Sequence, residues 1–213
     1  RAIIVTINRP EVHNAVDAET AGLLFQSVEE FRQDESLDVF ILTGAGEVAF
    51  CAGADLSDFL SAPSPIIARQ VRFGRDVWSL FLSIPQPMIA AIHGYTLGSG
   101  IEMALCCDIR IASEDAKFGL PEVGLGILPA AGGTQTLPRA IGIARALEML
   151  LANRWLSSEE AYSTGLVNQV VPKTKLLETV EEMARKIASL DPTAVRYAKQ
   201  AVLRGMDLSL SEG

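Results

Sequence analysis

Short apolar runs rich in Ile, Val and Ala recur along this chain, and helical patterns separate them. That alternation limits the fold more than any other feature. A strand, a helix and a second strand in one sheet form a crossover, which makes the two strands parallel. Ala2–Asn8 reads as the first strand. From about Thr20 to Gln33, Leu23, Leu24, Val28 and Phe31 fall at helical spacing. Asp38–Thr43 is a second strand, stopped by Gly44-Ala45-Gly46. Residues 66–83 read as a helix ended by Pro85 and Pro87. Met88–His93 is a buried-type strand, Ser99–Cys106 a short apolar helix, and Asp108–Ala112 a further strand.

The last third turns helical. Gly142–Ala152 is a helix, and Ser157-Ser158-Glu159-Glu160 is a capping-box signal for the next. A short strand at Val167–Val171 precedes a helix from about Thr174 to Leu190. Asp191-Pro192 starts the final helix, with Asp as N-cap and Pro at the first helical position. Ser61-Ala62-Pro63-Ser64-Pro65 marks a loop, and no sequence repeat stands out.

A length of 213 residues, 49% of them apolar, suits one domain with a sizeable core. No apolar run approaches the roughly 18–20 residues of a membrane span. Arg1 followed by Ala2–Ile7 is too short an apolar stretch for a signal peptide and reads as a strand. Cys51, Cys106 and Cys107 are odd in number and include an adjacent pair. They suit a reducing compartment better than a disulfide framework. The net charge of −8 disfavours general binding to nucleic acid or anionic membranes.

The chemistry-bearing residues cluster around glycine turns. Gly94-Tyr95-Thr96-Leu97-Gly98-Ser99-Gly100-Ile101-Glu102 delivers one carboxyl, and Phe118-Gly119-Leu120-Pro121-Glu122 delivers another. Upstream lies a third turn, Phe50-Cys51-Ala52-Gly53-Ala54-Asp55-Leu56. A glycine turn lets backbone N–H groups approach a ligand closely, and two carboxyls suit proton transfer. A charged Glu102 beside Met103-Ala104-Leu105 needs a partner or a task. Taken without these neighbours, Gly98 and Gly100 would simply let a helix pack on a strand, and Glu122 would be a helix-start residue. Gly44-Ala45-Gly46-Glu47-Val48-Ala49 mimics a dinucleotide fingerprint, but it runs into apolar residues rather than opening a helix. Cys51 lacks a histidine partner for nucleophilic work, since His13 and His93 sit in ordinary contexts and His93 reads as packed and hydrogen-bonded. No metal-ligand spacing is present. Trp78 and Phe81 read as core.

This constellation resembles the enoyl-CoA hydratase/isomerase (crotonase) family over essentially the whole chain, from Asn8-Arg9-Pro10 through Ala131-Gly132-Gly133-Thr134-Gln135 to the last residue. The resemblance implies an α/β fold, the crotonase-like superhelix of repeated ββα units with a helical C-terminal segment. It places the spiral core at residues 1–190 and the start of a helical trimerisation region at 191–213, which looks truncated beside the family. It implies a homotrimer or a dimer of trimers, in the cytoplasm or, in a eukaryote, the mitochondrial matrix.

The implied activity is reversible syn hydration of a 2-enoyl-CoA to a 3-hydroxyacyl-CoA. The CoA thioester is then substrate, and no metal or redox cofactor is needed. Alternatives are isomerisation, cyclic-enoyl-CoA hydration or acyl-CoA hydrolysis on the same scaffold, or a non-catalytic acyl-CoA-binding role. By position, the backbone amides of Ala54 and Ser99 hold the thioester oxygen. Glu102 takes the proton of water, and Glu122 protonates the carbon next to the thioester. Ala52 and Ala54 grip the CoA adenine through main-chain groups, with Asp55 and Leu56 lining the same edge. Glu11 and Val12 lie near the CoA phosphates, Leu97 and Pro121 flank the acyl thioester, and Ser99 and Gly100 are further ligand-binding residues. Ser99 stands where glycine is commoner, Ser57 replaces a frequent lysine, and Glu11 is not the basic residue that some members carry. A polyanionic CoA calls for a local basic patch. Arg9 is one candidate, and Arg69, Arg72 and Arg75 share one helical face, which alternatively is simply solvated.

Overall fold

The computed structural model describes residues 1–57 and 76–212. Arg69, Arg72, Arg75 and the Ser61–Pro65 loop lie outside the described residues, and the helix expected at 66–83 is described only from Val77.

Five parallel strands form the main sheet: β1 (Ala2–Ile7), β2 (Val39–Gly44), β4 (Met88–Ile92), β6 (Ile109–Ser113) and β9 (Gln169–Val171), in the order β1-β2-β4-β6-β9. Its central strands are buried on both faces, which is why they read as continuous apolar runs. Every residue of β2 and β4 is buried. Phe40, Leu42, Met88 and Ala90 face one core. Val39, Ile41, Ile89 and Ala91 face the other. On the first side, α1 (Ala18–Gln33) and α2 (Val77–Ser83) bring Phe31 and Phe81 against Phe40, with ring centroids 5.2 and 6.2 Å away. On the second, α7 (Leu176–Ala188) contributes Leu176, Val180 and Ala184.

A second sheet follows from the first. After β2, β4 and β6 the chain bends into the short strands β3 (Ala49–Cys51), β5 (Tyr95–Leu97) and β7 (Lys117–Gly119). These pair in parallel in the order β3-β5-β7, and β8 (Leu156–Ser157) closes the edge antiparallel to β7. Long strand, short strand and helix therefore recur as a spiral of backbone path that leaves no trace as a sequence repeat. The second-sheet strands are two or three residues long, too short to show a period. Also unforeseen is α4 (Gly133–Ile141), ahead of α5 (Ile143–Leu151) and α6 (Ser158–Ser163). The capping box at Ser157 and Glu160 forms as expected.

Helix α3 (Ser99–Cys106) has the bounds read from sequence and packs tightly on β3. A Cβ on Gly100 would lie 2.2 Å from the Cys51 carbonyl oxygen, so only glycine allows this approach. The final helix, α8 (Pro192–Gly205), starts at the Asp191 cap and contributes no fully buried residue. It is tied down by Lys199 Nζ, which reaches Asp108 at 2.7 Å and the Gln86 carbonyl at 2.9 Å.

Overpacking a close backbone approach costs about 1–3 kcal/mol or more. Gly100→Ala is expected to lose at least that much stability in urea unfolding. Gly205→Ala, with open space around its site, is expected to gain a few tenths of a kcal/mol from helix propensity. Equal effects of the two substitutions would contradict this packing.

Candidate active site

Glu102 owes its position to Gly98. That residue ends β5, adopts φ 51° and ψ −124° and caps α3, so the chain turns at once from strand to helix. Glu102 then lies in the first helical turn, between the buried side chains of Ile101 and Met103, and is 1% exposed. A carboxylate so deep requires donors. Its Oε1 accepts the Ala131 N–H at 2.9 Å and the Gly133 N–H at 2.7 Å. Gly133 is the first residue of α4, so the carboxylate sits at a helix N-terminus, where unpaired N–H groups and the helix dipole favour an anion.

Glu122 is held differently. It sits in a single 3-10 turn, Pro121–Leu125, directly after β7, and is half-buried. Its Oε2 is buried and has no hydrogen-bond partner among the described residues. Its Oε1 lies 2.9 Å from the place a Cβ on Gly98 would take, so the glycine that turns the chain also makes room for the second carboxyl. Burial pushes the Glu122 pKa up, and the Glu102 charge adds to that, against a pull downward from its own backbone amide.

Both carboxyls line one cleft of about 440 Å³. The first glycine turn supplies Ala52, Gly53, Ala54 and Leu56 to it, and the second supplies Gly98 and Ser99. The turns touch each other: a Cβ on Gly53 would lie 3.2 Å from the Leu97 carbonyl oxygen. Ala54 forms a parallel bridge with Val16. The bridge uses the Gly53 carbonyl and the Asp55 N–H, so the Ala54 N–H takes no part in it. The Ser99 N–H opens α3 and is one of the donors that a helix leaves unpaired within itself. Pro121 joins this lining, as do Trp78, Leu125 and Ile127, which make the cleft largely apolar.

Other candidates stand outside this lining. Leu97 and Gly100 do not line the cleft: Leu97 backs onto Gly53, and Gly100 onto Cys51. Glu11 and Val12 occupy an exposed 3-10 turn, Pro10–Val12, away from the lining. Asp55 is also absent from the lining, being bonded to Arg9 and Ser57. Arg9, a candidate for CoA phosphates, is instead paired with Asp17 at 3.1 Å and Asp55 at 3.0 Å. No basic side chain lines the cleft among the described residues. Trp78, expected in the core, packs against the core and also faces the cleft.

The rejected candidates stay rejected. The thiol of Cys51 is buried, with its pKa pushed up to about 12. His93 is buried, with its pKa lowered chiefly by that burial. The Gly46 backbone offsets that lowering only in part, and Nε2 has no hydrogen-bond partner among the described residues. Strands β2 and β3 flank Gly44–Ala49, so no helix opens there. A larger cavity of about 650 Å³ under α8 contains neither carboxyl. The sequence reading missed Ala131 and Gly133 as partners of Glu102. The local trace of that helix start is the pair Gly132-Gly133 ahead of Thr134, which by itself points to no partner.

A model of the enoyl-CoA hydratase/isomerase family matches residues 2–213. The short-chain-enoyl-CoA hydratase of Clostridium acetobutylicum is 42% identical over 99% of this chain and 80% of its own length. The (E)-benzylidenesuccinyl-CoA hydratase of Thauera aromatica is 43% identical over 98% of this chain and 81% of its own. The crystal structure of an enoyl-CoA hydratase from Bacillus anthracis superimposes with a TM-score of 0.94 at 42% identity, covering 99% of this chain and 82% of that one.

A raised carboxyl pKa in the folded state contributes stability below the unfolded-state value and loses it as pH rises through the folded value. Glu122→Gln removes that loss. Its stability relative to wild type is therefore expected to rise as pH goes from about 4 to about 8, measured by thermal melts across that range. A flat or falling difference would contradict burial as the dominant influence on Glu122.

Proposed function

The chain belongs to the enoyl-CoA hydratase/isomerase family, and we propose that it adds water reversibly, in the syn sense, across the double bond of a 2-enoyl-CoA to give a 3-hydroxyacyl-CoA. The observation that carries this reading is the meeting of two carboxyls and two glycine turns in one cleft. Glu102 takes a proton from water as the hydroxyl oxygen bonds to C3. The double-bond electrons move toward the thioester, whose oxygen becomes negative. The amides of Ala54 and Ser99 receive that charge, each worth very roughly 3 kcal/mol in the transition state. Glu122, favoured in its protonated form by burial, then delivers a proton to C2. Exchange with solvent returns both carboxyls to their starting states. Water addition is neither an oxidation nor a reduction, so these groups suffice without a redox cofactor.

Ala52, Ala54 and Leu56 are the retained candidates for the CoA edge, with Pro121 and Ser99 at the thioester, because all line the cleft. The apolar wall of Trp78, Leu125 and Ile127 suits an acyl chain. Isomerisation on this scaffold needs one carboxyl to move a proton. Glu102, fixed beside Glu122, is the second group that water activation requires, and it favours hydration. Assembly as a trimer or paired trimers belongs to the same proposal, supported by the exposed apolar side chains Tyr197, Val202 and Met206 in and just after α8.

Adding the protein to crotonyl-CoA is expected to remove the absorbance of the conjugated enoyl thioester. If crotonyl-CoA, longer and branched enoyl-CoAs all stay unchanged, the hydratase reading fails. Glu102→Gln and Glu122→Gln are each expected to lower kcat by about 10²–10⁴. Near-normal turnover in either variant would remove that residue from the mechanism.

A further inference from the structure

Arg9 does not line the cleft, yet its guanidinium is bonded on several sides. Nη1 donates to the Ala15 carbonyl at 2.7 Å and to Asp55 Oδ2 at 3.0 Å, while Nη2 lies 3.1 Å from Asp17 Oδ2. These partners are not scattered. Ala15 and Asp17 flank Val16, and Asp55 follows Ala54. Val16 and Ala54 are the two residues of the parallel bridge. The Val16 N–H reaches the Gly53 carbonyl at 2.8 Å, and the Asp55 N–H reaches the Val16 carbonyl at 2.9 Å. The guanidinium thus grips both sides of this bridge at once.

The block that carries Arg9 is itself firmly held. The Arg9 N–H donates to Asn14 Oδ1 at 3.0 Å, and the Asn14 N–H returns to the Arg9 carbonyl at 2.8 Å. Fully buried Asn14 sends Nδ2 to the carbonyls of Ala45 and Ala49, and the Ala52 N–H donates to the His13 carbonyl at 3.0 Å. Residues 9–17 therefore form a brace between the main sheet and the first glycine turn. A planar fork can serve three acceptors in fixed directions, which an ammonium on a flexible stem cannot.

We propose that Arg9 is a positioning residue for the Ala54 amide: by clamping the Val16–Ala54 bridge through Ala15, Asp17 and Asp55, it sets one of the two donors that stabilise the enolate, and it does not bind CoA phosphate. The inference rests on the hydratase reading above. Donors to a developing oxyanion act at 2.7–3.1 Å, and a shift of about 1 Å in a catalytic geometry costs up to about 10²-fold in rate.

Arg9→Lys keeps a cation between the two aspartates and loses the fork. Three measurements on the full chain decide the matter: hydration kinetics with crotonyl-CoA, binding of saturated butyryl-CoA, and the ultraviolet absorbance of enolate formed when acetoacetyl-CoA binds. The expected result is a kcat lowered about tenfold and an enolate signal shifted about one pH unit upward, the same tenfold. KM and the butyryl-CoA Kd should change by less than about threefold, because substrate binding elsewhere is kept. If Arg9→Lys does not fold, Asp55→Asn, which weakens the same clamp, is expected to shift kcat and the enolate signal in the same direction. A higher KM and Kd with kcat and enolate unchanged would overturn the proposal and return Arg9 to the phosphates. No change in any readout of a folded variant would also overturn it. Wild-type protein that neither hydrates an enoyl-CoA nor forms the enolate would sink the hydratase reading itself, before any variant is compared.

Discussion

A buried carboxylate must be answered by donors, and the answer given to Glu102 organises the cleft. Its Oε1 is 2.7–2.9 Å from two backbone N–H groups that open α4. Losing one partner of such a charged, buried bond exposes the remaining group to a penalty of about 1–3 kcal/mol or more. The bond therefore fixes α3 against α4 and the Glu102 side chain against both. Glu122 enters the same space from the next repeat of the spiral, with no comparable donor for its Oε2. Two like groups thus meet in one cleft under unlike conditions. Such a difference separates a base from an acid.

The long elements were legible because their periodicity is long. Met88–Ile92, Ser99–Cys106 and the Asp191-Pro192 helix start appear where apolar spacing and caps place them. The strands of the second sheet were not legible, because two or three residues carry no period. Helix α4 is masked in the sequence by glycines at its start and by Pro138 within it, residue types that disfavour a helix. Both carboxyls and both glycine turns could be picked out as candidates, since a glutamate inside an apolar helix demands an explanation. Their partners could not. Nothing local connects Glu102 with Ala131 and Gly133, about thirty residues on, and only the packing of α3 on α4 brings them together.

Arg9 shows the same limit from the opposite side. In a chain of net charge −8, a lone cation beside a candidate ligand turn invites assignment to an anionic ligand. The fold instead brings Asp17 and Asp55, eight and 46 residues away, into contact with it. Whether a charge faces a ligand or another side chain depends on which loops meet, which neither composition nor spacing reports. Trp78 follows the same rule, since an amphipathic ring on a short helix can serve core and cleft together.

On the proposed mechanism, the Ala54 and Ser99 amides converge on one oxygen while the two carboxyls reach the carbons beside it. A crystal structure with a bound acyl-CoA tests this most directly. The thioester oxygen is expected at about 2.7–3.1 Å from both nitrogens, with Glu102 and Glu122 flanking C2 and C3. A thioester bound with its oxygen turned away from either amide, or with either carboxyl beyond reach of those carbons, would contradict it.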